Sequence, residues 1–151
     1  MVQEVAEQAL IIGPVIGLGI ILGLYELLLI HRDESFRGSH WLGHGTHSVV
    51  VMIIALFAVM NTEYFLEITG LIASGIPLIS NVLIVRIAVG FILAIKMWGV
   101  SSVIKGGGGV KGMHEGLIHI LIVAALVVAA PYYWPLLKPV LEPVLPRWML
   151  N

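Results

Sequence analysis

Four apolar runs, at about residues 9–30, 41–60, 78–98 and 115–134, constrain this chain more than any other feature. At about 1.5 Å per residue, each is long enough to cross a hydrocarbon layer about 30 Å thick as a helix. Apolar residues make up 59 % of the 151 positions and charged residues only 11 %, whereas a soluble domain must cover its surface with polar side chains. The expectation is an all-α integral membrane protein of one polytopic domain, residues 1–151. Its four transmembrane helices would form an up-down antiparallel bundle, because short loops force neighbouring helices to run in opposite directions.

Between the runs, residues 61–77 are too short and too interrupted to span. Residues 62–77 (TEYFLEITGLIASGIP) read as an amphipathic segment lying at the membrane interface. Beyond the fourth run, Pro131, Pro135, Pro139 and Pro143 recur every fourth residue, followed by Pro146. Each proline removes an amide donor and crowds the carbonyl one turn back. The tail, 135–151, is therefore expected to be extended or broken, and to lie along the interface with Trp134 and Trp148.

Orientation follows from basic residues in short loops. Arg32 and Arg37 lie in the first loop, and Lys105 and Lys111 in the third, with Lys96 near its edge. The second loop and the N-terminal arm have none, while the tail carries Lys138 and Arg147. This places loops one and three in the cytoplasm and both termini outside it. The beginning carries Glu4 and Glu7 where a signal peptide would carry basic residues, so the first run is expected to remain in the mature protein.

A net charge of −1 and the lack of a basic stripe argue against a nucleic-acid partner. With no cysteine, a metal site would have to use histidine, carboxylate or backbone oxygen. Residues 107–112 fit G-x-G-x-x-G, but no strand precedes them, so a dinucleotide site is rejected. No nucleophile motif or phosphate cradle is present, and no catalytic residue can be named.

Gly13-x-x-x-Gly17 and Gly19-x-x-x-Gly23 have spacings that let a second helix approach closely in lipid. This face is expected to meet another helix, either inside the bundle or in a homo-oligomer or another membrane subunit.

His40, His44 and His47, at i, i+4 and i+7, form one stripe at the opening of the second run. Glu115 and His119 share a face at the opening of the fourth, and Glu26 lies near the inner end of the first. The expected topology brings all of these to the cytoplasmic side. Imidazole and carboxylate from facing helices suit a transition metal ion (zinc, copper, iron or manganese), drawn from Glu26, His40, His44, His47, Glu115 and His119. His44 or His47 with His119 would suit a b-type haem.

Arg86 stands eight residues into the third run, which places it near the midplane, where an unpaired charge costs several kcal/mol. Its expected partner is Glu26 across the bundle, Glu63 or Glu67 if the second loop folds inward, or a substrate anion.

Three functions are consistent with these residues. The chain is a metal- or haem-binding membrane protein, an accessory subunit of a larger membrane complex, or a small proton- or ion-conducting oligomer.

Overall fold

The computed structural model describes residues 10–31, 41–105 and 117–151, with side chains described for 10–28, 46–99 and 117–151. The described residues form helices and turns, with no strand. The helices are α1 (Gly13–His31), α2 (Trp41–Met60), α3 (Thr62–Ile68), α4 (Val82–Lys105) and α5 (Leu117–Leu141), with 3-10 turns at Ile72–Ser74 and Arg147–Met149. Two stretches, Val82–Gly99 and Leu117–Leu141, are long and apolar enough to cross a membrane. α2 and α3, bent by 60° where they meet, make a third if counted as one crossing, and Gly13–Leu28 is a shorter apolar helix. These features are consistent with a membrane protein.

α2 is central and packs against α1, α4 and α5. Each helix turns one helical stripe inward, which is how an apolar helix finds a seam. On α5 the stripe is Ile120, Val123, Ala124, Val127, Ala130 and Trp134. On α4 it is Arg86, Gly90, Leu93 and Met97, so the arginine occupies a core position. The opposite faces of α4 and α5 expose large apolar side chains such as Phe91, Ile118 and Leu136. An apolar surface on that scale belongs against lipid or another protein.

The glycine face is used within the chain. A Cβ at Gly19 would run into the Ile53 side chain and come within 3.0 Å of its Cα, and one at Gly23 would come within 3.0 Å of the Val49 backbone nitrogen. These two glycines bring α1 against α2. Gly13 lies under the Trp148 carbonyl of the C-terminal turn, while Gly17 has only Met149 near it, at 3.9 Å. The expected partner surface Gly13/Gly17/Gly19/Gly23 is thus largely covered by the chain's own helices, because Val49 and Ile53 present matching backbone.

Two expectations are corrected. The third run does not become helical at residue 78: residues 77–80 turn, and α4 begins at Val82. There Asn81 Oδ1 accepts from the amides of Leu83 (3.0 Å) and Ile84 (3.2 Å), a side-chain cap on the new helix. The second loop holds α3 and a 3-10 turn. The proline tail is not extended or broken from residue 135, because α5 continues through Pro131, Pro135 and Pro139 to Leu141, and only the residues beyond it lie in turns. Prolines four apart fall on one face, so the lost hydrogen bonds are confined to one side of the helix and the rest of its ladder holds. After α5 the chain turns back, burying Leu150, and Lys138 Nζ donates to Asn151 Oδ1 at 2.9 Å.

Candidate functional site

Polar residues gather at the two ends of the bundle. The first cluster is built on the end of α2. A helix leaves its last four carbonyls without amide partners, and here those of residues 57–59 are met by donors from three places. The Phe57 oxygen accepts from Asn61 Nδ2 at 3.0 Å and from the Asn61 amide at 3.1 Å. Thr62 Oγ1 donates toward the Ala58 oxygen (2.7 Å) and the Val59 oxygen (3.0 Å). The Val59 oxygen also accepts from Arg86 Nε at 3.1 Å. The sequence Asn61-Thr62 therefore supplies short polar side chains where the ladder is interrupted, and α4 supplies a cation to the negative end of the α2 dipole.

Asn61 has a second role. Its Oδ1 accepts from the Ile11 amide at 2.7 Å, and its Nδ2 donates to the Ile11 carbonyl at 3.1 Å. This two-way bond ties the entry of α1 to the end of α2, with Asn61 only 3 % exposed.

Arg86 is 6 % exposed. Besides Val59, it donates through Nη1 to Tyr132 Oη at 3.2 Å and through Nη2 to Glu63 Oε1 at 3.3 Å. Its guanidinium carbon also lies 5.5 Å from the Tyr132 ring centre, within cation–π range. Of the expected partners, Glu63 is the one it meets. Glu26 is on the wrong end of the bundle: Gly23 packs at the level of Val49, ten residues or about 15 Å along α2 from Val59. Arg86 is also nearer the start of its helix than the eight residues counted from 78. Because α4 begins at Val82, it lies about one turn, some 6 Å, into the helix.

The second cluster is at the other end. Glu26 is buried on the inward stripe of α1, at 4 % exposure. His47 is exposed, and its Nε2 lies 3.1 Å from Lys96 Nζ. An ammonium only donates, so this contact calls for the tautomer with its ring proton on Nδ1. His119 is half-buried, its ring 5.6 Å from that of Tyr25. Its Nε2 is buried without a hydrogen-bond partner among the described residues.

Among the described residues no group of three histidine or acidic side chains is placed to hold a metal ion. His40 and Glu115 lie outside the described residues, as does the side chain of His44. The three polar residues of the other cluster that pattern reading missed are Asn61, Thr62 and Tyr132. The signal was present for two of them, since Asn-Thr interrupts an otherwise apolar run. Compared with family models, curated proteins and solved structures, the chain matches none.

Proposed function

We propose that this chain is a multi-pass membrane protein acting as an accessory subunit of a larger membrane assembly. In this reading α1, α2, α4 and α5 are four antiparallel crossings, with residues 32–40 and 106–116 on the cytoplasmic side. The observation that carries it is an open groove of about 430 Å³ along the seam of α4 and α5. Its floor is small, with Ala94, Ala125 and Ala129, and Phe91 beside them. Helices associate in lipid through close packing rather than hydrophobic drive, so a floor of small residues favours a helix from another subunit as its occupant. The buried polar groups favour the same reading, since Arg86, Asn61 and Thr62 are engaged in joining helices.

A photoreactive side chain at Ala125 tests this in native membranes. One discrete adduct with a different polypeptide is expected, and it should disappear when Ala129→Phe fills the groove. Adducts with lipid alone, or an adduct of twice the chain's own mass, would contradict it.

A further inference from the structure

The stretch from α3 to the start of α4 exposes an unusual amount of apolar side chain for a connection. Ile68, Ile72, Ile76, Leu78 and Ile79 are all exposed, Leu78 at 67 %. α3 has seven residues, about 10 Å of helix, and cannot cross a membrane. Gly70 (φ 71°) and Gly75 (φ 69°) end α3 and the 3-10 turn in the left-handed region, which turns the chain back across the end of the bundle. No atom lies within 4 Å of where their Cβ atoms would be, so the backbone conformation is what calls for glycine there.

Three hydroxyls of this stretch bond back to its own backbone. Thr69 Oγ1 donates to the Phe65 carbonyl at 2.6 Å, Ser74 Oγ to the Leu71 carbonyl at 2.6 Å, and Ser80 Oγ to the Ile76 carbonyl at 2.7 Å. Each is an exposed group that water could satisfy, yet each bonds the backbone three or four residues back. That pattern lowers the cost of leaving water, because each bond satisfies a hydroxyl and a backbone carbonyl at once.

Charge identifies the kind of surface. Residues 61–85 contain no basic residue, and the acids are Glu63, which is paired with Arg86, and Glu67. Nothing in the stretch would be drawn to anionic headgroups.

We infer that residues 62–80 form an embedded interfacial hairpin. Its apolar side chains enter the headgroup and upper acyl region of one leaflet, and its lipid partner is zwitterionic phospholipid held by apolar insertion. This rests on the membrane reading above and adds a specific contact to it.

The native chain has no cysteine, so single cysteines at Ile68, Ile72 and Ile76 can each carry a nitroxide in full-length protein reconstituted into phosphatidylcholine vesicles. A fourth at Phe91 serves as the reference on a spanning face. Collision with oxygen is expected to exceed collision with a water-soluble nickel complex several-fold at all four sites. Replacing a third of the lipid with phosphatidylglycerol, or adding salt, should leave the ratio at 68, 72 and 76 unchanged. Nickel accessibility at those three positions with oxygen preference kept at Phe91 would overturn the hairpin inference alone. Nickel accessibility at Phe91 as well would overturn the membrane reading with it. A ratio that rises with anionic lipid would reject apolar insertion into zwitterionic lipid.

Discussion

Arg86 Nε donates to the carbonyl oxygen of Val59 at 3.1 Å, so a cation from α4 closes the end of α2. The costliest residue in the apolar runs thereby joins two helices at the point where the chain bends by 60°. The ion pair it also makes is lopsided, its partner Glu63 being 57 % exposed. Exposed pairs contribute little, roughly 0–1 kcal/mol.

A double-mutant cycle separates these terms. Arg86→Leu should cost about 1–3 kcal/mol in unfolding free energy measured in detergent, because the Val59 carbonyl loses one of its two side-chain donors and the contact with Tyr132 goes with it. Glu63→Gln should cost less than about 1 kcal/mol. Arg86→Leu with Glu26→Gln should be additive, since the two lie at opposite ends; coupling above about 1 kcal/mol would refute this placement.

Asn61→Leu should cost about 2–4 kcal/mol, since it leaves both backbone groups of Ile11 without their partner. Hydrogen exchange gives the sharper readout. The Ile11 amide should exchange faster in the variant while amides in the middle of α4 keep their protection. Unchanged exchange at Ile11 would show that the clamp is absent.

Two glycine substitutions should behave oppositely. Gly19→Ala forces a Cβ onto the Ile53 side chain and backbone and should cost about 1–3 kcal/mol. Gly17→Ala meets only Met149 Cβ, at 3.9 Å, and should be neutral or slightly stabilising, since alanine favours the helix. Thermal unfolding of the pair decides it, and equal effects would contradict the packing of α1 on α2.

Pro135 is exposed within α5. Pro135→Ala returns an amide to the ladder and should raise thermal stability with little change in far-ultraviolet circular dichroism. A large gain in helicity on substitution would mean that the segment is broken in the native protein.

What could be read in the residues follows a physical division. Apolar run length is local, and it revealed that the chain is built of apolar helices. What covers a face is not local. The glycine spacings announced a close approach, but Val49 and Ile53 of the same chain meet Gly19 and Gly23 as well as any partner would. The histidine stripe put His47 on a face with its neighbours, while the side chain it contacts is that of Lys96, 49 positions on and unmarked by any motif. Between residues 135 and 141 the proline expectation failed for another reason. It added the cost of each proline separately, whereas a four-residue spacing confines all of them to one side.

Four antiparallel crossings are tested most directly by placing single cysteines in the cysteine-free chain at Arg37, Thr69, Gly108 and Glu142, and treating intact cells with a membrane-impermeant thiol reagent. Arg37→Cys and Gly108→Cys should be protected until the membrane is opened, while Glu142→Cys should react directly. Thr69→Cys, on the same side as Glu142, should become reactive without permeabilisation, though more slowly if its segment is embedded. Ready labelling of the Gly108 position together with the Glu142 position in intact cells would put the two ends of α5 on one side and contradict the proposed topology.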